Sequence, residues 1–124
     1  MVIVMPFVKA RNAVARALGS RLRVTVVGQA ATERGARYGR QLASHLGRKV
    51  ETEWDDATST GTVTFDPAAR LFLSTTPDAL VLTLTCPASR VAELQDVVER
   101  HLVRFGAKDG LSVTWQSGGP EGQR

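Results

Sequence analysis

The chain contains only two histidines, His45 and His101. His45 lies in the run Arg37-Tyr38-x-x-Gln41-Leu42-x-x-His45-x-x-x-Lys49, and His101 opens His101-Leu102-x-Arg104-Phe105. An imidazole titrates near neutral pH, so it serves as acid, base or metal ligand. A guanidinium suits a carboxylate or phosphate, because its planar fork matches their oxygens. If the two segments meet, His45, His101, Tyr38, Arg37 and Arg104 form a small pocket for a polar or anionic ligand. The competing reading is plainer. Each histidine is a core residue bonded to a carbonyl or to Tyr38, and each arginine lays its stem over apolar neighbours. Two histidines alone make a weak metal site, so no metal and no cofactor is expected.

Other chemistry is thin. There is no G-x-S-x-G, Walker loop, C-x-x-C, H-E-x-x-H or G-x-G-x-x-G. Asp55-Asp56 sits in a Thr/Ser/Gly turn and reads as a solvated loop. Cys86 is the lone cysteine, which rules out an internal disulfide and fits a reducing cytoplasm. It reads as a small buried hydrophobe. Trp54 and Trp115 end strands and read as core or rim aromatics.

The elements that must position the histidines follow from periodicity. Leu22, Val24 and Val26 alternate with polar neighbours, the period of a half-buried strand. Thr32 is a good N-cap for a helix to about Leu46, with Tyr38, Leu42 and Leu46 recurring every fourth residue. Gly47 would close it in the left-handed conformation. Gly35 and Gly39 weaken that helix but make room for close packing on a sheet. On a helical wheel His45 points nearly the way Tyr38 does. Four strands follow, carrying Val50 and Trp54, Val63 and Phe65, Leu71 and Leu73, and Leu80 to Leu84. Their connectors hold turn residues, among them Asp66-Pro67 and Thr76-Pro77-Asp78, so they form an antiparallel meander.

The second helix carries the stripe Val91, Leu94, Val98, Leu102 and Phe105, with His101 inside it. Asp96 and Arg100 form an i, i+4 pair. A last strand holds Leu111, Val113 and Trp115. The order is β-α-β-β-β-β-α-β. It implies an α+β two-layer sandwich, a largely antiparallel sheet with two helices packed on one face.

A chain of 124 residues is one domain. Residues 21–116 form it, residues 1–20 are a basic N-terminal extension, and residues 117–124 are a flexible tail. The formal charge of +4 is unevenly spread. Residues 1–32 hold five basic residues and no acid, and the remainder holds 11 basic and 12 acidic residues. A near-neutral body with few aromatics excludes a nucleic-acid binder. The run Val2-Ile3-Val4-Met5 stops at Pro6, too short for a membrane span, and its charge follows the apolar stretch, unlike a secretory signal. A cytoplasmic location is expected.

The joint presence of R-Y-x-x-Q-L-x-x-H and H-L-x-R-F with a later V-T-W resembles an uncharacterised bacterial family, domain of unknown function 2218. The resemblance covers roughly residues 26 to 116. That family often has Cys after Gln-Leu, where this chain has Ala43. It often has a Gly-rich strand start, where this chain has Asp66-Pro67-Ala68-Ala69. The resemblance implies a context in iron uptake, because members are encoded beside or fused to siderophore-interacting flavin reductases. Three readings stand. One is an accessory binding module for a small molecule or such a reductase. A second is a small enzyme using His45 or His101 as acid or base. The third is an interaction protein that forms a homodimer through its open sheet face.

Overall fold

Nine residues of strand β1 (Arg23–Ala31) alternate in burial, with Val26, Gly28 and Ala30 turned inward. This is the computed structural model of the chain, and it describes residues 22–116. The basic extension and the tail expected at the two ends therefore lie outside the described residues. After β1 come helix α1 (Gly35–Leu46) and strands β2 (Glu51–Asp55), β3 (Thr60–Asp66), β4 (Ala69–Thr76) and β5 (Ala79–Pro87). Helix α2 (Val91–Phe105) and strand β6 (Thr114–Gln116) complete the domain, with single 3-10 turns at Ala88–Arg90 and Ala107–Asp109.

The sheet order is β2-β3-β4-β5-β1-β6, and every neighbouring pair is antiparallel. The expected α+β sandwich and its element order are thus observed. Leu71, Leu73, Leu80, Leu82, Leu84 and Val63 point from the sheet into the core and are fully buried. They meet Leu42 from α1 and Val98 and Leu102 from α2. Cys86 is buried among them, and burial pushes its thiol pKa up, as suits a packing residue. The opposite face is open and rich in threonine, with Phe72 43% exposed at its centre.

Three expected details differ. Helix α1 starts at Gly35, after Arg34, and no side chain caps it. Thr32 still uses its hydroxyl, which accepts the Arg34 N–H at 2.9 Å. Its own N–H donates to the Asp78 carbonyl at 3.0 Å, which ties it to the β4–β5 turn and delays the helix. Gly47 is right-handed, at φ −63° and ψ −11°. It is suited to its place by crowding, since a Cβ there would lie 2.7 Å from Thr52 Oγ1. Strand β6 begins at Thr114 because Leu111 has another task. Its N–H donates to the Gly106 carbonyl at 3.0 Å and its side chain packs on Gly106, closing α2.

Trp54 locks α1 to the edge of the sheet. Its indole lies against Gly39 of α1 and Gly61 of β3, and its N–H donates to Asp56 at 2.9 Å. A Cβ on Gly39 would come within 2.8 Å of the ring tip; one on Gly61 would sit 2.6 Å from both Trp54 Cε3 and the Glu53 carbonyl oxygen. Backbone cannot swing aside as a ring can. Gly61→Ala is therefore expected to lower unfolding stability by about 1–3 kcal/mol in urea titration, the usual cost of overpacking. Gly39→Ala should cost less, since Ala gains about 1 kcal/mol of helix propensity over Gly. Equal losses, or a stabilised Gly61→Ala, would contradict this account of the wedge.

Candidate functional site

The antiparallel β1–β5 pair sends α1 and α2 across the sheet in opposite directions. Two contacts show it: His45 of α1 meets His101 of α2, and Tyr38, seven residues earlier, meets Asp109, eight residues later. The two imidazole centroids are 4.9 Å apart, with planes inclined at 57°. Phe105 stands edge-on to His45 at 5.4 Å and lies 6.2 Å from His101. Both histidines are half-buried in the seam between the helices.

Their environments differ. His101 Nδ1 lies 2.6 Å from the Val97 carbonyl oxygen, one turn back in the same helix. When neutral, that ring therefore carries its proton on Nδ1 and keeps a lone pair on Nε2. The His45 carbonyl accepts the Arg48 N–H at 3.3 Å, while its imidazole has no hydrogen-bond partner among the described residues. Burial lowers its pKa from the ordinary 6.5, and the positive charges of His101, Arg48, Arg104 and Lys49 lower it further.

A cavity of about 440 Å³ opens beside the pair. Leu46, Val50, Phe65 and Val97 form its apolar wall, and Arg48, Lys49 and Arg100 join the histidines in its polar lining. Its volume lies in the range of about 300–1,000 Å³ usual for small-molecule sites. Arg104 lines a smaller hollow of about 220 Å³ that shares Arg100 and His101 with the main cavity.

Of the five residues singled out in the sequence, the structure brings His45 and His101 together and sets Arg104 beside them. Tyr38 and Arg37 lie elsewhere. Tyr38 shares a face with His45 but lies about 10 Å further along the helix axis, at a rise of 1.5 Å per residue. Its buried hydroxyl donates to Asp109 Oδ2, which also accepts from Arg34 at 3.4 Å. That knot pins the segment after α2 to the start of α1. The hydrogen bond to Asp109 and burial raise the Tyr38 pKa above its ordinary 10.0. Arg37 is exposed, and its charge acts weakly on Tyr38.

Sequence reasoning missed Arg48, Arg100 and Phe65 as lining residues. Arg100 was legible only as the partner of Asp96, a bond the structure contains at 2.7 Å. Arg48 follows a glycine that was expected to end the helix direction, yet the chain continues in a helical turn. Among the described residues no group of three or more His, Cys, Asp or Glu side chains is placed to hold a metal ion. Among them too, no helix is long and apolar enough to cross a membrane.

An antiparallel sheet layered with two antiparallel helices, and a histidine pair in their seam, defines a small α+β class of protein. Residues 27–116 match the bacterial family described as "Uncharacterized protein conserved in bacteria (DUF2218)", and the chain belongs to that family. It is also similar to PA4090 from Pseudomonas aeruginosa, solved by NMR, at 30% identity and a TM-score of 0.60. That likeness covers 76% of this chain and 96% of PA4090. No curated protein matches the chain.

Two pH effects follow with opposite signs. His45 is held neutral, so between its folded pKa and 6.5 the unfolded chain binds the extra proton. Its contribution to stability is full above pH 6.5 and is lost as pH falls through the folded pKa. Urea midpoints measured from pH 7.5 to 5 should fall less steeply in His45→Gln than in the parent. Parallel curves would remove this assignment. Tyr38 behaves the other way: its contribution is full below pH 10 and lost as pH rises through its raised folded pKa. Tyr38→Phe should lower stability by about 1 kcal/mol at neutral pH and flatten the alkaline limb.

Proposed function

We propose that the protein is an accessory module that binds a small molecule in the cavity beside His45 and His101, in the service of siderophore-linked iron metabolism. One observation carries the reading. Two half-buried imidazoles stand in contact at the wall of an open cavity of ligand size, and one of them lacks a protein partner. A plain core histidine would be sealed and bonded through its ring nitrogens, whereas here only His101 Nδ1 is bonded and both rings reach the cavity. The iron context comes from the family resemblance. The partner it implies is a siderophore-interacting flavin reductase.

The cavity is tested by screening a library of small fragments against the whole chain, with the Cε1–H resonances of both histidines as reporters. Fragments that shift both resonances and raise the melting temperature are expected. His101→Ala should abolish that stabilisation while keeping a cooperative melt, and His45→Gln should weaken it without enlarging the core. A library that moves neither resonance sinks the reading. For the iron link, the chain is mixed with such a reductase and a ferric siderophore. No complex in sedimentation and an unchanged reduction rate would count against that context.

A second reading, acid–base catalysis by the pair, is favoured by the unlike states of the two rings. His45 is poised as a neutral base, and His101 has its tautomer set by Val97. It requires that ligands of the cavity be turned over, whereas the binding module releases them unchanged.

A further inference from the structure

The cavity is one-sided in charge. Its polar lining is Arg48, Lys49, Arg100 and the two histidines, and it includes no acidic side chain. Arg100 is paired with Asp96, its Nε donating to Oδ2 at 2.7 Å, and Asp96 does not itself line the cavity. Arg48 and Lys49 form no salt bridge among the described residues. The other wall is fully apolar, with Phe65 of β3 and Val50 before β2 facing Val97 of α2. Arg48 and Lys49, adjacent in the chain and without a counter-charge of their own among the described residues, repel one another. A bound anion removes that repulsion, and an apolar body covers the hydrophobic wall.

Resting on the reading of this cavity as a small-molecule site, we infer that its ligand is an organic anion with a flat apolar body, the simplest being an aromatic carboxylate. The carboxylate lies among Arg48, Lys49 and Arg100, and the body lies against Phe65, Val50 and Val97. Binding is also linked to protons. The titratable and charged groups that lower the His45 pKa are Arg48 and Lys49 at the end of its own helix, and His101 and Arg104 on α2. From the sheet side only the uncharged Val50 and Phe65 line the space. The charges that lower it are all positive, so an anion in their midst favours the protonated imidazole. Affinity then rises as pH falls, by up to about tenfold per pH unit for one proton taken up.

The test uses the full chain, the two histidine Cε1–H resonances, and three matched probes: benzoate, benzamide and inorganic phosphate. Benzoate alone should shift both resonances to saturation, more tightly at pH 6.5 than at 7.5. Lys49→Gln and Arg100→Gln, both at exposed positions, should each raise its Kd about three- to tenfold. Equal binding of benzamide overturns the anionic class, and equal binding of phosphate overturns the apolar body. Silence from all three, while the fragment library does move the resonances, overturns this ligand class and leaves the cavity a small-molecule site. Silence in both experiments removes the site itself.

Discussion

The ladder between β1 and β5 fixes the rest of the molecule. It runs without a break from Arg23–Pro87 to Ala31–Ala79 and joins the strand before α1 to the strand before α2. Because the pair is antiparallel, the chain leaves β1 at one end of the sheet and β5 at the other. Each helix then turns back over the strand it follows, so the two helices run in opposite directions on one face. In antiparallel neighbours a step back along one helix matches a step forward along the other. From the contact of His45 with His101, the step back to Tyr38 therefore meets the step forward to Asp109, beyond the end of α2. The Tyr38–Asp109 contact marks the same seam at its far end. Any slip in the β1–β5 register would part both pairs together.

The seam opens where α1 stops. Gly47 packs against Thr52, and the chain drops through Arg48 and Lys49 into β2. The descent leaves a gap above Phe65, and the cavity occupies it. The end of a helix is also where backbone carbonyls lack partners and carry partial negative charge. Basic residues are favoured there on general grounds, and Arg48 and Lys49 follow that rule. Arg100 does not, because it projects from within α2. Its arrival in the same gap is a consequence of the antiparallel seam, and it turns a helix-end preference into a cationic cavity.

The fold was largely legible in the sequence because burial imposes period. Alternation in β3–β5 and the stripes of α1 and α2 appear in the structure as read, and β1 follows its pattern from Val24 on, whereas Leu22 lies exposed just before the strand. What escaped belongs to tertiary geometry. A helical wheel gives direction and discards height, so Tyr38 and His45 looked like neighbours although they serve opposite ends of the seam. Wheel logic also could not show that α2 runs against α1, and with it the place of Arg100 and Asp109. Gly47 was read as a left-handed terminus by its residue type, whereas crowding by Thr52 is what fits glycine there. Thr32 was read as a cap from its position alone, and the β4–β5 turn holds it back from the helix.

The histidine pair itself is the sharpest local conflict between sequence and fold. Positions 45 and 101 lie on stripes where Leu or Val would bury apolar area and carry no titratable charge. A half-buried imidazole held below its ordinary pKa costs stability whenever it protonates, and a second imidazole 4.9 Å away adds to that cost. Local rules that a sequence otherwise obeys tend to fail where function requires it. Here they fail twice, on two elements far apart in the chain, and both failures open onto one cavity. The rings' mutual contact accounts for the shared location, and the ligand site proposed above would account for why imidazoles rather than aliphatic side chains stand there.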